Sequence, residues 1–250
     1  MADFAEMDLY LKVRKKEGRL YSDDVVAQLP SFPKKHPLSN EWRARFQSAK
    51  RLRKYLTQKN TPLRILDLGC GNGWLSNFLA QENHFVFGID QNLFELKQAS
   101  RVFLSPAVPQ GGFAQEGEKS RNLFFVKADV FNSPIPKQSF NIILLASAVQ
   151  YFPDLSKLLK TLWNCLKQKG EIHILDSAFY SDDEIQQAIR RSEEYYESLG
   201  FPEMSQNYFH HRVSELQEFS PKWLYKPSLL RFKKIFGKID SPFPWIMIKK

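Results

Sequence analysis

Between Arg64 and Gln81 the chain reads RILDLGCGNGWLSNFLAQ. Gly69, Gly71 and Gly73 stand two residues apart, directly after an apolar run that carries one acid, Asp67. Glycine loses more backbone entropy on folding than any other residue. Three of them where a strand hands over to a helix therefore predict a turn that side chains would obstruct. Such a turn presents bare N–H groups and a helix N-terminus at the carboxyl edge of a sheet, the crevice where nucleotide-type ligands bind. It is not a P-loop, because GCGNGWLS lacks a Lys-Ser/Thr pair after its glycines. A dinucleotide fingerprint is G-x-G-x-x-G; here the third glycine comes one residue early, and Asp67 would set a carboxylate beside a pyrophosphate. An amino group and a sulfonium would suit that acid.

From Arg64 onward strand and helix patterns alternate. LRILDLG, HFVFGID, NLFFVKAD, FNIILLASA and EIHILDS read as strands. WLSNFLAQ and LFELKQASRVFL read as helices. DLSKLLKTLWNCLKQKG places Leu155, Leu158, Leu159, Leu162 and Leu166 on one face, with Gly170 as its stop. SDDEIQQAIRRSEEYYESLG is an acid-capped helix ending at Gly200, and SPAVPQGGFAQEGEKSR is a surface loop. This order predicts an open, largely parallel sheet covered on both faces. Before it, LSNEWRARFQSAKRLRKYLTQ predicts a helix capped by Ser39 or Asn40, with Trp42, Phe46, Ala49, Leu52 and Leu56 inward. After it, PKWLYKP and PFPWIMIK read as short strands separated by SLLRFKKIFG, with Pro242 and Pro244 favouring a strand start or an edge.

ILDLGCGNG resembles the first motif of class I S-adenosylmethionine-dependent methyltransferases of the small-molecule branch, and the likeness extends over roughly residues 60–180. It implies a Rossmann-like α/β fold: a seven-stranded, mostly parallel sheet of order 3-2-1-4-5-7-6 with the last strand antiparallel. A helical lid over residues 1–60 would precede a methyltransferase domain over 61–250 that ends in a strand pair. The resemblance also implies a cofactor site. Asp67, Gly69, Cys70, Gly71 and Gly73 would surround the methionine and ribose, and Asp90, followed by Gln91, would hold the ribose hydroxyls. Asp129 would reach the adenine amino group, with Ala128 or Val130 giving a backbone contact, and Ser147 would stand where the fourth strand meets the transferred methyl. Taken singly, Asp90 can instead serve the start of the next helix through Asn92, and Asp129 a turn before NSP.

For the acceptor, SAVQYF lacks the [D/N]-P-P-[Y/F] of base amino-methylating enzymes. Cys70 and Cys165 read as packing residues rather than nucleophiles, and no metal constellation is visible. Tyr151 and the adjacent His210 and His211 are the candidate catalytic groups. A histidine near its free pKa suits a hydroxyl acceptor; Tyr151 could orient or deprotonate an acceptor, but reads first as core or lid packing.

Two cysteines, no signal-peptide layout and no bilayer-length apolar run predict a cytoplasmic protein. The formal net charge of +9 is uneven: residues 1–60 hold 14 basic and 7 acidic residues, and residues 221–250 hold 8 and 1. The middle is mildly acidic, so the ends alone could attract an anionic partner. The expected function is methyl transfer to a small or medium-sized acceptor, glycan- or lipid-linked forms included. An RNA methyltransferase using the basic ends, and a non-catalytic cofactor-binding partner protein, are the alternatives.

Overall fold

A computed structural model describes residues 4–104, 122–227 and 239–250. The stretches read above as a surface loop (105–121) and as most of the segment between the last two strands (228–238) lie outside the described residues.

Three helices come first: α1 (Phe4–Lys16), α2 (Asp23–Gln28) and α3 (Ser39–Thr57). Then follow β1 (Arg64–Leu68), α4 (Trp74–Ala80), β2 (Phe85–Asp90), α5 (Leu93–Phe103), β3 (Leu123–Lys127), β4 (Phe140–Ala146), α6 (Leu155–Cys165), β5 (Leu166–Leu175) and α7 (Asp182–Leu199). The chain closes with β6 (Lys222–Tyr225) and β7 (Trp245–Lys249). The sheet order is β3-β2-β1-β4-β5-β7-β6, and β7 runs antiparallel to both neighbours. This is the predicted order. Pro242 and Pro244 precede β7, whose ladder on both sides leaves no place for a residue without an N–H.

Helices pack on both faces of the central strands. On one face Leu158, Leu159 and Leu162 of α6 meet Ile143, Leu145, Ile172 and Ile174. On the other, Leu52 and Leu56 of α3 and Leu79 of α4 meet Ile65, Ile142 and Leu144. Each such fully buried side chain contributes about 1.5–3 kcal/mol. The expected inward stripe of α3 is thus an integral layer of the sandwich, although neither Ser39 nor Asn40 caps it: the flanking residue is Leu38, without a side-chain hydrogen bond.

Two local expectations fail. Gly170 does not stop α6, which ends at Cys165; the chain turns directly into β5, where the Lys250 ammonium donates to the Trp163 and Leu166 carbonyls. Gly170 instead lies at an irregularity in the β4–β5 ladder, where a Cβ would come within 2.9 Å of the Lys167 carbonyl. Nor is β3 covered on both faces: Phe124 and Val126 are 39% and 48% exposed. It is an edge strand, and residues 128–139, which lead to β4, form no helix to cover it.

His173 is structural. The Trp245 indole, which only donates, gives its N–H to Nδ1 at 3.0 Å, so Nε2 carries the proton that faces the Glu171 carboxylate at 3.2 Å.

Gly73 is needed by this packing. It has φ +75°, and a Cβ there would lie 2.5 Å from the Phe125 ring of β3 and 2.8 Å from Ala99 of α5. Gly18 has φ +68° with open space around it. Gly18→Ala should therefore lose only the backbone strain, about 1–2 kcal/mol, whereas Gly73→Ala should lose about 1–3 kcal/mol more through overpacking. Urea unfolding of the two variants measures the difference.

Candidate active site

Parallel strands end at one edge, so the carboxyl ends of β1, β2, β4 and β5 open into a common cavity of about 1540 Å³. The turn after β1 is held there by backbone: the Gly69 and Cys70 N–H groups both donate to the Ile89 carbonyl, at 2.9 and 3.2 Å. A Cβ on Gly69 would come within 2.8 Å of Ala148 Cβ, so this glycine lets the ends of β1 and β4 approach.

Asp90, the last residue of β2, ties three elements together. Its Oδ2 accepts the Gly71 N–H at 2.9 Å and its Oδ1 the Asn92 N–H at 2.8 Å. Asn92 caps α5, its side-chain oxygen accepting from the N–H groups of Phe94 and Glu95. Its amide donates to the Glu95 carboxylate at 2.9 Å. Asp90 thus both serves the helix start and lines the cavity. Burial raises the pKa of Asp90, and burial together with the Asp90 charge pushes Glu95 up to about 7.

The N-terminal helix reaches this group from the far side. Tyr10 Oη stands 3.5 Å from the Glu95 carboxylate, and one turn later Arg14 donates to Glu17 at 2.7 Å and to the Tyr151 hydroxyl. Tyr10 and Tyr151 meet edge to face, with ring centroids 5.7 Å apart. At the ends of β4 and β5, Ser147 and Asp176 adopt φ +54° and +51°, a conformation non-glycine residues seldom hold without support. The support is specific. Ser147 Oγ donates to the Asp176 carbonyl, and the Asp176 carboxylate accepts from Ser48 at 2.7 Å and Ser241 at 2.9 Å.

Of the residues singled out in the sequence, Gly69, Cys70, Gly71, Asp90, Gln91, Asp129, Val130, Ser147, Tyr151 and His210 line the cavity. Asp129 also serves its local turn, its two oxygens accepting from the Phe131 N–H and the Asn132 amide. Three residues do not line it. Asp67 points from β1 into α4, where it is 1% exposed and accepts the Ser76 hydroxyl at 2.6 Å; burial raises its pKa to about 6. Gly73 faces Phe125 and Ala99. His211 is buried, with Nε2 3.0 Å from the Val149 carbonyl and Nδ1 3.4 Å from Glu215, so it locks a loop and faces no acceptor. His210 contacts the Ser192 hydroxyl at 2.9 Å. Burial, then neighbouring His211, lowers its pKa.

The sequence reading passed over Tyr10, Arg14, Glu95, Tyr196 and Tyr208, all of which line the cavity. Asn92 and Glu95 have the spacing of a capping pair, and Tyr10 and Arg14 share one helix face. Those were the available signals.

Residues 59–226 match a family model described as a methyltransferase domain. The chain is similar to rat (Rattus norvegicus) arsenite methyltransferase, 28% identical over 134 residues, which are 51% of this chain and 34% of that protein. Among solved structures it is similar to a putative sarcosine dimethylglycine methyltransferase from Galdieria sulphuraria (TM-score 0.60, 14% identity, 97% of this chain and 98% of that one). It is also similar to magnesium protoporphyrin IX methyltransferase from Synechocystis with bound S-adenosylhomocysteine (TM-score 0.57, 13% identity, 96% and 97%). At these identities the structures show a shared fold. The chain spans between about a quarter and just under half of the length of the curated relatives it matches.

The raised acids set a pH dependence. Asp67 (about 6) and Glu95 (about 7) hold protons more tightly in the folded chain than in the unfolded one. Between about pH 4.5 and 7 these two acids bind more protons in the native state and so lower stability as pH rises, whereas His84, His173 and His210, whose pKa values burial lowers, act in the opposite sense. Glu41 and Glu171, which lie at about 2, act only below that window. Relative to wild type, Glu95→Gln should gain stability progressively as pH rises across this window, read from denaturation midpoints taken at half-unit steps. Parallel curves for the wild type and the variant contradict the assignment.

Proposed function

We propose a function from one premise: the chain belongs to the methyltransferase-domain family, and its fold is that of class I S-adenosylmethionine-dependent methyltransferases. The function is transfer of the methyl group of S-adenosylmethionine to a small or medium-sized acceptor. The observation that carries this reading is the recessed carboxylate pair Asp90 and Glu95 beside the open glycine turn. Burial disfavours the charged form of both, and a cationic ligand relieves that penalty where an anion would worsen it.

Asp90, Gly69, Gly71, Asp129 and Val130 are the residues that would hold the cofactor. Each Asp90 oxygen accepts one backbone N–H and keeps a lone pair for a ribose hydroxyl. When bound, S-adenosylmethionine supplies a methyl group made electrophilic by its cationic sulfur. The chain's own contribution is alignment and exclusion of water. Helix α1 would serve as a lid over both partners, a role supported by its contacts from Tyr10 to Glu95 and from Arg14 to Tyr151. Tyr151, at the end of a short 3₁₀ turn after β4, and His210 stand on the acceptor side. The cavity exceeds the roughly 300–1,000 Å³ of a single small-molecule site, which supports an acceptor of appreciable size, glycan- or lipid-linked forms included. Two buried free cysteines support a cytoplasmic setting. No described helix is long and apolar enough to cross a membrane.

Calorimetry with S-adenosylhomocysteine tests the site, and labelled cofactor with a metabolite extract tests the transfer. Asp90→Ala should weaken binding by at least about 2 kcal/mol, some thirtyfold in Kd, because hydrogen bonds to a charged acceptor are lost. Unchanged affinity would remove the ribose role from Asp90.

A further inference from the structure

The walls of the cavity differ in sign. At the strand ends and the starts of α5 and α6 it is lined, among the described residues, by Asp90, Glu95, Asp129, Asp154, Asp176 and Asp240 against one cation, Lys157. On the wall built by α1 with its C-terminal flank, α3 and α7, the charged lining is Arg14, Arg19, Arg45 and Arg191 against Glu17 and Glu41. Both glutamates there are already satisfied. Glu17 accepts from Arg14, approaches Arg19 Nε at 3.3 Å and takes the Tyr195 hydroxyl at 2.7 Å. Glu41 accepts from Arg19 and Arg45 at 2.6 and 3.0 Å. The basic wall therefore retains positive potential.

Phenols cluster beside Arg14. Tyr151, which receives the Arg14 N–H, lies edge to face with Tyr208 at 6.1 Å between centroids, and Tyr208 lies 5.8 Å from Tyr196. Both rings line the cavity, and neither hydroxyl has a hydrogen-bond partner among the described residues. Nor is either oxygen sealed off as a buried orphan, so each keeps accessible surface on a residue that lines the cavity. Burial, with Tyr151 nearby, raises the pKa of both, that of Tyr208 to about 12. At neutral pH these groups are donors. Two open phenolic donors beside a phenol already oriented by a guanidinium form a site for an anionic oxygen. A neutral amine accepts one hydrogen bond and an alcohol two, so either would leave part of that donor set unmatched, whereas a carboxylate offers about four acceptor sites.

We propose that the acceptor is a carboxylate-bearing molecule, its carboxylate seated between Arg14 and the hydroxyls of Tyr151, Tyr196 and Tyr208. The proposal rests on the methyltransferase reading for the role of this ligand but not for the anion site itself. The two halves of the cavity then divide the work by charge, the acidic half taking the cationic cofactor and the basic half the anionic acceptor.

Calorimetric titration of the full chain with benzoate and octanoate, and with the isosteric benzamide and octanamide, tests it. Each is run with and without saturating S-adenosylhomocysteine. The carboxylates should bind at least about tenfold more tightly than their amides. Tyr196→Phe and Tyr208→Phe, which keep the rings and delete only the hydroxyls, should each weaken carboxylate binding several-fold and leave S-adenosylhomocysteine affinity unchanged. Arg14→Gln should weaken it about tenfold or more; should that variant not fold, the two phenylalanine variants decide. Amides that match the carboxylates overturn the proposal, as do phenylalanine variants that bind them normally or an absence of carboxylate binding up to about 10 mM. S-adenosylhomocysteine that fails to bind while the carboxylates bind would overturn the methyltransferase reading and leave the anion site in place. The reverse result would do the opposite.

Discussion

One carboxylate holds the functional edge of this molecule together. Asp90 accepts a backbone N–H from the turn that follows β1 and another from the residue that caps α5. The parallel register, with Leu68 opposite Ile89, makes this reachable: two neighbouring strands that end at the same level bring the turn and the acid into contact. Hydrogen bonds to a charged acceptor contribute about 1.5–3 kcal/mol each, and they offset part of the cost of recessing the charge. They do not offset all of it, since Asp90 is still displaced upward by burial and Glu95 lies at about 7. That residual cost is what makes the edge receptive to a cation.

The chain as a whole carries +9, yet the lining of its cavity bears more carboxylates than cations. Net charge governs solubility and long-range attraction, whereas a recessed site answers to the few groups that face it. The basic excess at the N-terminus is distributed in both directions. Arg43 of α3 faces solvent, while Arg14 is turned inward between Glu17, Tyr10 and Tyr151. Helix α1 is consequently part of the site although it lies outside the matched family region, which begins at residue 59.

Ser147 and Asp176 show how the far side of the edge is maintained. Both adopt a left-handed backbone without being glycine: Ser147 is held through its hydroxyl by the Asp176 carbonyl, and the Asp176 carboxylate is held by Ser48 from α3 and Ser241 from the segment before β7. Elements that read in the sequence as separate appendages thus stabilise the ends of the central strands.

The elements and their order were legible because they depend on local periodicity. The leucine spacing of α6, the apolar runs of β1 and β4 and the alternation of strand with helix each follow from residues a few positions apart, and the family likeness supplied the strand order. The direction in which each acid faces was not legible. Asp67 and Asp90 look alike as strand-end carboxylates, but the two-residue alternation of side chains aims Asp67 into α4 at Ser76, and only Asp90 meets the cavity. Gly73 looked like a ligand contact and proved to be a packing contact with Phe125, some fifty residues away in sequence. Tyr10, Arg14, Tyr196 and Tyr208 converge from the two ends of the fold, and no spacing along the chain encodes that meeting. The sequence by itself determined the strands, the helices and the glycine turn, since these answer to near neighbours. Tertiary structure alone decided which side chains share the cavity, because that depends on contacts between residues as far apart as Glu17 and Tyr195, 178 positions along the chain, or Arg14 and Tyr151, 137 positions.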